Sequence, residues 1–118
     1  MKTVVSAGEA GRGTMIRYRE RTANSRARHE EAQRFLPGGE TRSATWYGPY
    51  PTYMVAGEGA WLADCDGNRY LDFLNNFTSL IHGHAQPGIV EDAADQLTRG
   101  TVFGSASTPQ VELARLLI

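Results

Sequence analysis

Cysteine occurs once in this chain, at Cys65, which excludes an intrachain disulfide and a metal cluster built from several thiolates. No apolar run approaches the length of a helix that spans a bilayer. Net charge is nearly absent as well: −1 over 118 residues is not the basic balance of a nucleic-acid-binding domain. Met1-Lys2-Thr3-Val4-Val5 begins like a signal peptide, but Ser6-Ala7-Gly8-Glu9 ends the apolar stretch at once, so a cytoplasmic setting is expected.

Positive charge is concentrated early, at Arg12, Arg17, Arg19, Arg21, Arg26, Arg28, Arg34 and Arg42. Glu20, Glu30 and Glu31 interrupt that run, so a solvated first helix fits it better than a nucleic-acid or membrane arm. Residues 1–14 are Gly-, Ala- and Ser-rich without periodicity, and are expected to be a disordered leader. A polar helix is expected from about Ile16 to Phe35, stopped by Pro37-Gly38-Gly39. Its apolar stripe is thin, so it needs a larger body to lie on. Residues 37–53 then read as an irregular segment whose aromatics, Trp46, Tyr47, Tyr50 and Tyr53, either line a pocket or pack against the body.

Three short antiparallel strands are expected at 53–56, 60–65 and 68–73, the last two joined through Asp66-Gly67, a strong hairpin signal. Pro87 opens the clearest helix, which carries its apolar face on Ile89, Val90, Ala93, Ala94 and Leu97 and closes at Gly100. Another starts at Ser107-Thr108-Pro109-Gln110, either with a Ser-x-x-Gln capping box or with Thr as the cap. It reaches Leu116-Leu117-Ile118 with no polar tail, and the expectation is an N-terminal piece of a longer protein.

Several motifs fail as sites on spacing alone. Asp64-x-Asp66-Gly67-Asn68 suggests calcium, but the EF-hand positions six and twelve fall on Arg69 and Asn75. His82 and His84 have no third ligand nearby, and a turn whose imidazoles bond to backbone is the expected role. Gly57-x-Gly59 lacks the Lys-Ser/Thr of a phosphate loop. Gly100-Thr101-Val102-Phe103-Gly104-Ser105 is a connector that could also approach an anion.

Five ordered pieces carry a resemblance: Phe35-Leu36-Pro37-Gly38-Gly39; Gly57-x-Gly59; Asp64-x-Asp66-Gly67-Asn68-x-Tyr70-x-Asp72; Gly83-His84-x-x-Pro87; and Gly100-Thr101-x-Phe103-Gly104. Together, over residues 35–118, they resemble the class III pyridoxal-phosphate aminotransferases, which include β-amino-acid transaminases and glutamate-1-semialdehyde aminomutase. The resemblance implies an α/β chain with the aspartate-aminotransferase-like fold. Residues 15–118 would be its N-terminal portion: a helix, a small antiparallel meander, then helices leading into a large domain that holds pyridoxal 5'-phosphate.

It also implies a homodimer that moves an amino group between an amino acid and a keto acid, with no nucleic-acid or membrane partner. The family's Schiff-base lysine is not in the matched region, since the only lysine is Lys2, so the chain alone is expected to be inactive. Arg42 resembles the arginine that clamps the substrate carboxylate in β-phenylalanine-type transaminases. The aminomutase pattern places its arginine three residues on, where this chain has Thr45, which favours a transaminase. Phe77-Thr78 resembles the family's pocket wall, although an aromatic there fits a core equally well. The alternatives are the aminomutase itself and a short non-catalytic binding module.

Overall fold

The computed structural model describes the backbone from Ala7 to Ile118 and side chains from Gly11 onward. It forms two compact units, one up to His84 and one from Ala85 to Ile118. In the first, α1 (Ala7–Arg21) and α2 (Ala23–Ala32) replace the single helix expected over 16–35. The break is at Thr22, with φ −132° and ψ 41°. Its hydroxyl donates to the Tyr18 carbonyl and also bonds the Tyr50 hydroxyl at 3.2 Å, so the side chain competes with the helix for backbone partners. The leader expected over 1–14 lies partly outside the described residues. From Ala7 the chain is helical, because extending a helix costs less than nucleating one, even through Gly11 and Gly13.

The sheet is a meander in the order β1 (Met54–Glu58), β2 (Trp61–Asp64), β3 (Arg69–Leu71), antiparallel throughout. Glu58 faces Trp61 and Gly57 faces Leu62, with a bulge between Met54 and Ala56; Leu62 in turn faces Tyr70. The β2–β3 turn closes with Gly67 at φ +82°, the conformation the Asp-Gly signal anticipates.

That turn holds the helices. The Asp64 carboxylate accepts the amides of Asp66 and Asn68 at 3.0 and 2.8 Å, the Asn68 side-chain amide at 2.9 Å and the Tyr70 hydroxyl at 2.6 Å. Asp66 reaches outward to the start of α2, accepting the amides of Asn24 and Ser25 at 2.6 and 2.9 Å and the Ser25 hydroxyl at 2.7 Å. Asn68 takes the end of α1, donating to the Arg21 carbonyl and accepting from its guanidinium, both at 2.9 Å. A carboxylate at a helix start and a donor at a helix end both suit the helix dipole. Burial opposes ionisation of Asp64 and Asp66, but the bonds from Tyr70 and Asn68 to one, and from Ser25 and Asn24 to the other, outweigh it and lower both pKa values.

Apolar burial is slight by comparison. Tyr50 is the one large apolar side chain fully buried among the described residues, at 4% exposure. Its ring lies 5.3 Å from that of Tyr18, whose hydroxyl donates to the Tyr50 carbonyl. Trp46 and Tyr47, from the same irregular segment, are half exposed.

A separate left-handed turn, α3 (Asn75–Thr78), follows the sheet. The second unit contains α4 (Pro87–Arg99) and α5 (Thr108–Leu117). Gln86 caps α4 by accepting the Ile89 amide at 2.7 Å, and Gln110 accepts the Ser107 amide at 3.1 Å, the capping-box alternative. Ile89, Val90, Leu97, Leu116 and Leu117 are all exposed, and α4 and α5 flank an open groove of about 740 Å³ lined in part by Phe103 and Leu113. An amphipathic helix with a bare apolar face is a helix shaped for a larger core.

Removing the Asp66 carboxylate should therefore open the start of α2. Asp66→Ala is expected to speed hydrogen exchange at Asn24 and Ser25 about tenfold, as for a lost cap worth about 1–2 kcal/mol. Unchanged exchange would contradict the clasp.

Candidate functional site

The Gly-His turn is built from β-hairpin backbone rather than from imidazole–backbone bonds. Gly59 and His84 exchange both of their backbone hydrogen bonds, at 2.9 and 2.8 Å, which ties the turn to the β1–β2 hairpin. Two glycines make this approach possible. A Cβ on Gly57 would stand 2.7 Å from Cγ of His84, and one on Gly83, at φ +77°, would stand 2.7 Å from the Gly59 carbonyl oxygen. The expectation that the histidines bond to backbone is thus corrected: His84 Nε2 meets the Asp72 Oδ2 atom at 2.7 Å, while His82 is exposed. A carboxylate is the stronger partner, and β3 delivers one at its end.

Asp72 uses both oxygens. Oδ1 accepts the amides of Leu74 and Asn75, each at 2.9 Å, while Oδ2 holds His84. Its side chain is 8% exposed and that of His84 19%. The His84 bond, then the amides of Asn75 and Leu74, hold the Asp72 carboxyl below the ordinary value. A lowered native pKa means that the ionised group stabilises the folded form above the unfolded value of 3.8, and that this contribution is lost as pH falls through the native value.

The chain that leaves Asp72 is strained. In α3, Asn75, Asn76, Phe77 and Thr78 have φ of 49°, 46°, 56° and 68°. Asparagine tolerates the left-handed region, but an aromatic and a β-branched residue pay about 1–2 kcal/mol each there. The Ser79 hydroxyl donates to the Asn76 carbonyl at 2.8 Å and braces the far end. Phe77 is 54% exposed and Thr78 is exposed too, so neither is a core residue of the described structure. An open cleft of about 470 Å³ lies alongside, lined by Asp72, Phe73, Asn75 and His84 among others.

Arg42 sits elsewhere on the first unit, extended at φ −140° just before the 3-10 turn Ser43–Thr45. Its carbonyl accepts the amide and hydroxyl of Thr45 at 3.1 and 2.8 Å, which fixes the backbone. The guanidinium is exposed and has no side-chain partner among the described residues, as is true of Arg17, Arg19 and Arg34, whereas Arg21 is bonded, Arg69 lies over Trp61 and Arg99 pairs with Asp95. No hydrogen bond joins Arg42 to Phe77 or Thr78. Sequence reasoning missed the Asp72–His84 pair, whose members are twelve residues apart. The signal available was the two glycine positions, Gly57 and Gly83, which both mark a close backbone approach.

The remaining motifs are structural. Among the described residues no group of three or more His, Cys, Asp or Glu side chains could hold a metal ion. Cys65 is a free thiol against Ser25, with its Sγ 3.4 Å from the hydroxyl. Gly100 belongs to a connector, its carbonyl accepting the Gln96 side-chain amide at 2.8 Å.

The site thus consists of a carboxylate–imidazole pair tied to the hairpin, a left-handed turn and an adjoining cleft. A family model described as Aminotransferase class-III matches residues 42–118, and the chain belongs to the class III aminotransferase family. It is similar to the glutamate-1-semialdehyde 2,1-aminomutase of Thermomicrobium roseum, with 40% identity over 98 residues, covering 80% of this chain and 23% of the relative. Among solved structures, a transaminase with PLP bound has 45% identity and a TM-score of 0.77, covering 80% of this chain and 22% of its own. A β-phenylalanine aminotransferase from Variovorax paradoxus has 33% identity and a TM-score of 0.80, covering 86% and 24%. The chain thus spans under a quarter of the length of each, and its helices and meander are a portion of the PLP-dependent aminotransferase fold.

Two outcomes test the site's construction. Gly57→Ala should displace the His84 ring and speed hydrogen exchange at Gly59 and His84 by about ten- to a hundredfold, as overpacking of about 1–3 kcal/mol implies; wild-type exchange would contradict the contact. In a carboxyl-carbon NMR titration, Asp72 is expected to show a midpoint below 3.8 that rises in His84→Ala. A midpoint at or above 3.8 in the unaltered chain would refute the pairing.

Proposed function

We propose that this segment is the N-terminal part of a PLP-dependent transaminase that moves an amino group between an amino acid, β-amino acids included, and a keto acid. The observation that carries this reading is Arg42: an exposed guanidinium whose main chain Thr45 braces at the start of a 3-10 turn. Such a group binds a carboxylate through two parallel N–H donors, which fixes the substrate's orientation as well as its affinity. The similarity to a β-phenylalanine aminotransferase supports it. Phe77 would supply an apolar wall and Thr78 a hydroxyl at the edge of the same pocket.

The described residues do not fit pyridoxal phosphate as a covalent host. The chain's one lysine is Lys2, outside the described residues, and no other side chain here forms a Schiff base. In our reading the lysine and the main phosphate cradle belong to the rest of a full-length polypeptide, a cytoplasmic homodimer, and the 118 residues alone transfer nothing. This segment's share is recognition: Arg42 holds the carboxylate, and the Phe77 turn shapes the space for the side chain.

The aminomutase reading is favoured by the 40% identity to the Thermomicrobium enzyme. The two separate on one assay of the full-length protein loaded with pyridoxal phosphate. A transaminase consumes an external keto acid as it deaminates a β-amino acid, whereas an aminomutase isomerises glutamate-1-semialdehyde with no acceptor. In that protein Arg42→Ala is expected to raise KM for the amino acid about tenfold or more, since a bond to a charged group contributes about 1.5–3 kcal/mol. Cofactor absorbance should be unchanged. A variant with wild-type kinetics would remove the clamp, and isomerase activity alone would overturn the transaminase reading.

A further inference from the structure

We infer that Asp72 and His84 are a positioning pair, whose task is to hold the left-handed turn α3 so that the Phe77 ring meets the substrate's side chain. The inference rests on the transaminase reading for its functional half and on the geometry alone for its structural half.

The turn's other supports lie at its exit, where the Leu80 amide donates to the Asn75 carbonyl at 3.3 Å and the Ser79 hydroxyl to the Asn76 carbonyl at 2.8 Å. Phe77 makes no ring contact among the described residues and is more than half exposed, so burial of its side chain does not repay its backbone strain. Thr78, also exposed, is tied only through its amide, 3.2 Å from the Leu74 carbonyl. What ties the left-handed path to the sheet is its entrance, where Asp72 Oδ1 takes the consecutive amides of Leu74 and Asn75. Two amides on one oxygen fix the direction in which the chain leaves β3.

Asp72 itself cannot turn away, because Oδ2 is occupied by His84. Nor can His84 move: its backbone is paired with Gly59 on both sides, and its ring fills the space where a Cβ of Gly57 would be. Rigidity therefore runs from the β1–β2 hairpin through His84 to Asp72, and from Asp72 into the turn. A carboxylate whose two oxygens are both engaged is poorly placed to accept a proton from substrate, so the pair acts through Phe77 and not as an acid or base. Local strain kept by surrounding structure in this way is characteristic of residues that serve a ligand.

The test uses the full-length enzyme and two donors, β-phenylalanine and the smaller β-alanine. Asp72→Ala should lower kcat/KM for β-phenylalanine about tenfold more than for β-alanine, because only the larger side chain reaches Phe77. Phe77→Ala should give the same bias, and the double variant should add nothing to it, the mark of residues acting through one another. Asp72→Asn keeps an oxygen for the two amides and should restore the bias to within about threefold of wild type. Equal losses for both donors, or effects of Asp72→Ala and Phe77→Ala that simply add, would overturn the proposal. Hydrogen exchange at Leu74 and Asn75 provides the arm that needs no activity, with a rise of about tenfold expected in Asp72→Ala and in His84→Gln, whose own carboxylate contact is weakened. Unchanged exchange overturns the pair even in a protein that proves not to be a transaminase, whereas raised exchange in a protein without amino transfer defeats only the transaminase reading.

Discussion

The Asp64 carboxylate is the interaction on which the first unit depends. It gathers three donors from its own turn, two backbone amides and the Asn68 side chain, and a fourth from the Tyr70 hydroxyl on β3, so that a five-residue loop becomes a rigid knot. Only because the knot is rigid do Asp66 and Asn68 project where two helix ends meet. Helix ends leave orphan amides and carbonyls, and the break at Thr22 creates both kinds side by side. Asp66 satisfies the amides and Asn68 the carbonyl. With one large apolar side chain fully buried, hydrophobic packing within the segment cannot set the angle between hairpin and helices; directional polar bonds do.

The same device recurs at Asp72 with a different partner. There too one carboxylate joins backbone amides to a distant element, but its second oxygen meets an imidazole fixed by the hairpin. The two carboxylates lie at opposite ends of the β2–β3 ribbon, Asp64 at the start of its turn and Asp72 just beyond β3. One end therefore organises the helices that support the segment, and the other organises the turn whose first residue, Asn75, lines a cleft. This arrangement explains why the acidic residues look like a calcium loop and are not one. Their oxygens are already filled by N–H and O–H donors, which leaves little capacity for a cation.

Much of this was legible in the sequence, and what was not has a common cause. The Asp-Gly hairpin, the Pro-started α4 and the capping box at Ser107 are local signals, each decided by residues within a turn of one another. The split between α1 and α2 was not visible, because Thr22 breaks the helix through contacts with Tyr50, far along the chain. Helical backbone at Ala7 was hidden by glycines that lower propensity without forbidding propagation. The histidines were assigned to backbone partners because Asp72 lies twelve residues away, beyond any local pattern. For the site, Arg42, Phe77 and Thr78 were singled out through family resemblance alone. The left-handed path beneath Phe77 was not, since neither phenylalanine nor threonine advertises positive φ.

These features fit a division of labour within one polypeptide. Exposed apolar faces on α4 and α5 are surfaces that a larger core would cover, and little apolar area is buried among the described residues. The recognition groups we propose have the opposite requirement: they must be held without being covered. Arg42 and Phe77 are each exposed at the side chain and braced at the backbone, one by Thr45 and the other through Asp72. Polar braces are suited to that task because they act on main chain and leave the side chain free. Hydrophobic packing would have fixed Phe77 only by burying the face that the proposed role requires.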